Sequence, residues 1–277
     1  MQRTFVEIDV FTDRPYLGNP LAVVLNSEGL TTEEMQRFAN WTNFSETTFL
    51  LPPTDPEADY CVRIFTATSE LPFAGHPTLG SCHAWLAHGG MPQHPNRVVQ
   101  QCGVGLVPLQ RDEHGRLAFA APPLLRSGPL DDATLDETVA ALGITRDSII
   151  DAAWIDNGPG WLGVLLNSAE EVLAIKPSNT HLKIGVIGAY ETGSPAVYEV
   201  RAFFPAGDTT FEDPVTGSLN ASAAQWLIGS GRFTPPFVAS QGAALGRAGR
   251  VYISVEGNGQ LWIGGDAVTC VSGTVEL

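Results

Sequence analysis

Charge is scarce in this chain of 277 residues, at 16% Asp, Glu, Lys and Arg. It leans one way, with 30 acidic residues against 15 basic and a net charge of −15. No basic run interrupts that balance. A nucleic-acid partner is excluded, because such binders set clustered Lys and Arg against the phosphates; an anionic membrane surface is excluded for the same reason. Cysteine is limited to Cys61, Cys82, Cys102 and Cys270. These form neither a CxxC pair nor a zinc-type spacing, so we read them as thiols in a reducing compartment and expect no metal. No apolar run reaches about 18 residues, and the opening MQRTFVEIDVF reads as a strand without the apolar core of a signal peptide; the expected setting is cytoplasmic. A helical bundle is excluded too, since 29 glycines and 20 prolines indicate many turns and short strands.

What is present is a chain 44% apolar, long enough to bury one large core or two moderate ones. Val6, Ile8 and Val10 make the apolar face of a first strand, a turn falls at Leu17-Gly18-Asn19-Pro20, and residues 21–25 form a second strand. Thr31 and Glu34 have the spacing of a capping box, opening a helix that carries Met35, Phe38 and Ala39 and stops near Asn43. Strands are expected at 47–51, 60–66, 97–102, 105–120 (with a turn at His114-Gly115), 161–166, 184–190 and 198–204, and again from Phe237, Val251 and Leu261. A capped helix spans 131–142 before Gly143. Two further helices, through Ser81-Cys82-His83-Ala84-Trp85-Leu86 and over 219–228, are apolar nearly all round, which marks them as buried.

The two halves echo each other. Arg63-Ile64-Phe65 precedes Gly75-His76-Pro77 and a helix ending in Trp85-Leu86; Arg201-Ala202-Phe203 precedes Gly217-Ser218 and a helix ending in Trp226-Leu227. The offsets are 138 for the arginines, 142 for the glycines and 141 for the tryptophans, which reads as a duplicated unit of strand, Gly-rich loop and buried helix. The first turn of a helix carries N–H groups without intrahelical partners and a partial positive charge, so it binds a carboxylate without Lys or Arg. Two such junctions would bracket one small anionic ligand, their close fixed dipoles outweighing a distant, screened acidic surface.

Side chains near these junctions supply the chemistry. Glu46, in Asn43-Phe44-Ser45-Glu46-Thr47-Thr48-Phe49, lies between a helix end and a strand start. Flanked by Phe44 and Phe49, it is either an acid of raised pKa that trades protons near neutrality or a surface glutamate. His76 is expected as a helix cap, with Pro77 at the first helical position; it either contacts a ligand there or is a structural histidine. Asp213 precedes Pro214, a common setting for a helix N-cap. Ser218, in Thr216-Gly217-Ser218, either donates to a ligand oxygen or caps the helix.

The motifs NFSETTF, ELPFAGHPTLG and EDPVTGS, in this order, with GNPLAVVL near the start and the stretch from Gln241 to Arg247, resemble the PhzF-like family of phenazine-biosynthesis isomerases, which shares the fold of diaminopimelate epimerase. The resemblance covers essentially the whole chain. It implies an α+β fold of two pseudo-symmetric domains, each a mostly antiparallel sheet or barrel wrapped around a central helix, at 77–88 and 218–229. Residues 1–124 with 271–277 would form the first domain and 125–270 the second, the active site lying in the cleft between them. The resemblance implies Glu46 as catalytic acid/base, His76 and Asp213 as catalytic groups that orient the substrate, and Gly75, Thr216, Gly217 and Ser218 as its binding residues. It implies no metal, flavin or nucleotide, and a homodimer. The implied reaction moves a proton on a small carboxylate substrate, as in the isomerisation of trans-2,3-dihydro-3-hydroxyanthranilate. Gly75 and Gly217 stand where related two-base epimerases and racemases carry cysteines, which argues against a two-thiol racemase. An epimerase using Asp213 as its second base and a non-catalytic metabolite-binding protein remain as alternatives. The sequence departs from the family at Gly246-Arg247-Ala248-Gly249, often GRPS, and at Leu219-Asn220-Ala221-Ser222, where many relatives carry small apolar residues.

Overall fold

The periodicities and caps resolve into eighteen strands and five α-helices, described over all 277 residues in a computed structural model. In chain order they are β1 (Gln2–Val10), β2 (Asn19–Val24), α1 (Thr32–Thr42), β3 (Thr47–Leu51), β4 (Tyr60–Phe65), β5 (Glu70–Leu71), α2 (Gly75–Ala87), β6 (Arg97–Cys102), β7 (Gly105–Arg111), β8 (Leu117–Ala120), β9 (Arg126–Pro129), α3 (Asp132–Leu142), β10 (Ile149–Asp156), β11 (Trp161–Leu166), α4 (Ala169–Ala174), β12 (Lys183–Ala189), β13 (Tyr198–Ala206), β14 (Thr209–Asp213), α5 (Gly217–Gly229), β15 (Phe237–Gln241), β16 (Gly249–Val255), β17 (Leu261–Gly265) and β18 (Ala267–Glu276). They fall into two compact units, residues 1–120 with 264–277 and residues 121–263. The fold is α+β.

In the first unit β18 runs antiparallel along the whole of β1, from Gln2 opposite Glu276 to Val10 opposite Ala267. The sheet continues through β2, then β3 (parallel to β2 across α1), β4, β6 (parallel to β4), β7 and β8. Helix α2 packs against β1, β2, β3, β6, β8 and β18, so the sheet wraps it. Nine of its 13 residues are buried. Gly80 is what allows the approach: a Cβ there would lie 2.6 Å from Leu21 Cδ2 and 2.9 Å from Val10 Cγ2. Helix α1 lies on another face of the sheet, with Met35, Phe38 and Ala39 against Val24, Phe49 and Phe65. Its Thr31/Glu34 capping box forms, and Asn43 ends it in the left-handed conformation at φ 56°.

His76 is not the helix cap expected from the sequence. Helix α2 begins at Gly75 with Ala74 as its N-cap, so His76 and Pro77 are its second and third residues and not the cap and the first residue. A proline fits there because first-turn N–H groups have no intrahelical partner in any case.

In the second unit β9, β10 and β11 are antiparallel, β12 is parallel to β11 across α4, and β13 follows antiparallel; β14 and β15 both pair with β13, and β16 with β15. Strands β11 and β12 are buried on both faces, which is why they read as continuous apolar runs. Leu162, Val164, Ile184 and Val186 pack with Ala141 and Leu142 of α3 and Val172 of α4. Gly163 and Gly185 point the other way and leave room for Trp226 and Leu219 of α5. The duplication inferred from residue offsets is present in the topology: the order β1-β2-α1-β3-β4-β5-α2-β6-β7-β8 recurs as β10-β11-α4-β12-β13-β14-α5-β15-β16-β17, with parallel pairs at the same places.

Candidate active site

Two backbone events bring Glu46 and His76 together. The parallel pairing of β2 and β3 sets Thr47 beside Ala22, so Glu46 and Pro20 lie at the same end of that pair. Gly18 fixes the turn before Pro20: its N–H donates to Asp9 Oδ2 at 2.9 Å, and a Cβ there would collide with the Val10 carbonyl. The Pro20 backbone then hydrogen-bonds the His76 ring. His76 Nε2 faces Glu46 Oε2 at 3.5 Å, with the side chains 7% and 17% exposed.

The tautomer of His76 follows. A proline backbone offers only a carbonyl, so the ring nitrogen bonded to it must donate. With Nε2 turned to Glu46, the donor is Nδ1, and a neutral ring then carries a lone pair on Nε2. Burial pushes the pKa of His76 down from 6.5 to about 3, the Pro20 bond opposing that shift. The 3.5 Å approach has the separation of an ion pair, but desolvation of the buried ring keeps it neutral, so a carboxyl group meets an uncharged acceptor. Phe49, expected beside Glu46, sits in the core under α1 and edges onto Phe65.

In the second unit Asp213 ends β14 and does not cap α5; the N-cap is Thr216. The Thr216 hydroxyl donates to Asp213 Oδ2 at 2.6 Å. Ser218 does not cap either. Its hydroxyl accepts from Trp161 Nε1 at 3.0 Å and its carbonyl from Asn157 Nδ2 at 2.9 Å. Helices α2 and α5 both start without a side-chain cap, so no capping side chain competes with an anion for the first-turn amides that Gly75 and Gly217 open. Asn157 and Trp161 are residues that sequence reasoning passed over, and Gln241 stood out only as the start of a family stretch, with no role. Trp161 was visible only as the start of an apolar strand, and Asn157 as part of the loop Asn157-Gly158-Pro159-Gly160.

An imidazole facing a carboxyl group in one unit, and a hydroxyl donating to a carboxylate in the other, put proton-handling groups on a duplicated α+β frame. The chain belongs to the family described as phenazine biosynthesis-like proteins, whose model matches residues 8–273. It is 37% identical to antisense-enhancing sequence 1 of Schizosaccharomyces pombe, over 98% of each chain. It is 32% identical to the trans-2,3-dihydro-3-hydroxyanthranilate isomerase of Pseudomonas fluorescens, over 99% of each. The fold matches the crystal structure of a PhzF-family phenazine biosynthesis protein from Bacillus anthracis, with a TM-score of 0.84 at 24% identity and 100% of both chains covered. The chain is an isomerase. No helix is long and apolar enough to cross a membrane.

Proposed function

We propose that this isomerase moves a proton on a small carboxylate substrate through Glu46, with trans-2,3-dihydro-3-hydroxyanthranilate as the model of its substrate class. The observation that supports this most is Glu46 facing a neutral histidine. As a carboxylate, Glu46 takes a proton from a substrate carbon and a double bond shifts; it then returns a proton to a different carbon, so no atoms are gained or lost. While Glu46 holds the proton, His76 Nε2 is positioned as a hydrogen-bond acceptor for it. A ring with a pKa of about 3 does not take that proton outright near neutrality, so the proton stays on Glu46 for return. Asp213 and Ser218 orient the polar groups of the substrate, and the first-turn amides of α2 and α5 hold its carboxylate. Each donor aimed at developing negative charge is worth about 3 kcal/mol.

The test is Glu46→Gln, which removes the titrating oxygen and keeps the shape. In deuterated water the wild type incorporates solvent deuterium into trans-2,3-dihydro-3-hydroxyanthranilate; the variant is expected to lose about 10²–10⁴-fold of that rate with an unchanged unfolding midpoint. Exchange retained in the variant removes Glu46 from the role.

A further inference from the structure

Gln241, fully buried at the end of β15, hydrogen-bonds four groups around the start of α5. Its Oε1 accepts from the Thr216 N–H at 2.9 Å and from Asn220 Nδ2 at 2.7 Å. Its Nε2 donates to the Asp213 carbonyl and to Thr216 Oγ1, both at 3.0 Å. The partners fix the orientation of the amide: the Thr216 N–H can only donate and the Asp213 carbonyl can only accept, so a flipped amide would lose both bonds. That orientation fixes a second one. The Thr216 hydroxyl has a single hydrogen, and with Nε2 donating to its oxygen that hydrogen points away from Gln241. It goes to Asp213 Oδ2, 2.6 Å away. Gln241 thus holds Asp213 twice, at its backbone directly and at its carboxylate through Thr216.

The duplication supplies an internal comparison. Gln100, 141 residues earlier, is also fully buried, on β6, which pairs parallel to β4 as β15 does to β13. Its Oε1 accepts from the Tyr60 hydroxyl at 2.9 Å and its Nε2 donates to Thr78 Oγ1 at 3.0 Å. Thr78 is the fourth residue of α2, as Asn220 is of α5. Both glutamines grip the same turn of a central helix, so that grip is the structural part of the arrangement. Only Gln241 reaches back to the loop that carries an acid. Asn220, in the stretch that departs from the family pattern, completes the clamp by also donating to the Thr216 carbonyl at 3.0 Å.

We propose that Gln241 is a positioning residue: it aims the carboxylate of Asp213 by orienting the Thr216 hydroxyl. The proposal rests on the reading that Asp213 contacts the substrate.

Gln241→Met and Gln100→Met keep side-chain volume and remove both amide groups. Thr216→Val breaks the relay while leaving Gln241 in place, and serves if Gln241→Met does not fold. The first readout is the side-chain carboxyl carbon resonance of Asp213, assigned by its loss in Asp213→Asn. The second is kcat/KM with trans-2,3-dihydro-3-hydroxyanthranilate. Gln241→Met and Thr216→Val are expected to move the resonance, and Gln241→Met to lower kcat/KM about 100-fold. Adding Gln241→Met to Asp213→Asn costs no further turnover. Gln100→Met lowers the unfolding midpoint and moves neither readout. A resonance unmoved in both Gln241→Met and Thr216→Val, or moved equally by Gln100→Met, overturns the proposal. Full turnover in Asp213→Asn overturns the reading of Asp213 as a substrate contact, while the resonance still decides whether Gln241 positions it.

Discussion

His76 carries two properties that follow from one cause. Burial removes the water that would stabilise imidazolium, and the same burial places Nε2 against Glu46. The cost appears as acid sensitivity. Unfolded, the ring titrates near 6.5; folded, near 3. Between those values the unfolded chain binds one proton more at this residue, so stability is whole above about pH 6.5 and falls as pH drops, by about 1.4 kcal/mol per pH unit from His76 alone. His76→Asn, which cannot titrate, is expected to flatten the acid limb of urea-unfolding stability between about pH 4 and 6.5 by up to that slope. An acid limb identical to the wild type would mean that the ring takes up its proton in the folded state. The sequence showed both Glu46 and His76 as candidates but not their proximity. Their approach depends on which residues of β2 and β3 pair, and on the Pro20 carbonyl that accepts from the imidazole.

At the scale of elements, the legible features were those with local causes. The capping box at Thr31 and Glu34 and the left-handed Asn43 are set by neighbours within a turn. Helix α2 starts earlier than the apolar pattern suggests because Gly75 and Pro77 punctuate loops in most contexts, and only the enclosing sheet makes them helical. Helix α4 was missed although Ser168 accepts from the Glu171 N–H and Glu171 from the Asn167 N–H; six residues are too few to show a period. Glycine within the helices has meaning that composition hides. Gly80→Ala should gain about 1 kcal/mol of helix propensity and lose about 1–3 kcal/mol to overpacking, because its Cβ falls among Leu21 and Val10, both 0% exposed. The net expectation is destabilisation. Gly229→Ala on α5, whose Cβ meets nothing within 4 Å, has no such loss. Denaturant midpoints of the pair decide it; a stabilised Gly80→Ala would show that Leu21 gives way freely.

At the scale of the whole molecule, duplication has kept the frame and let the chemistry diverge. The turn before β3 carries Ser45-Glu46, whereas the turn before β12 carries His181-Leu182; Asp213 ends β14, whereas Leu71 ends β5. Each unit therefore carries a different acid at a different place in the shared frame. The frame itself includes a repeated ion pair. Arg63 holds Glu70 through Nε and Nη2 at 2.7 and 2.6 Å and lies over Phe65. Arg201 holds Glu212 at 2.9 and 2.8 Å and lies over Phe203. Geometry is nearly the same in the two copies; burial is not. The first pair is 27% and 39% exposed, the second 6% and 11%, and Arg201 also donates to the carbonyls of Val172 and Ile175 at the end of α4. Arg63→Met leaves Glu70 to solvent and should cost about 0.5–1 kcal/mol. Arg201→Met strands a buried carboxylate and two helix-end carbonyls and should cost about 3–5 kcal/mol. The comparison keeps the Arg–Glu contact and varies its exposure together with the carbonyls beside it, so equal losses in chemical denaturation would mean that neither desolvation nor those carbonyls separates the two pairs.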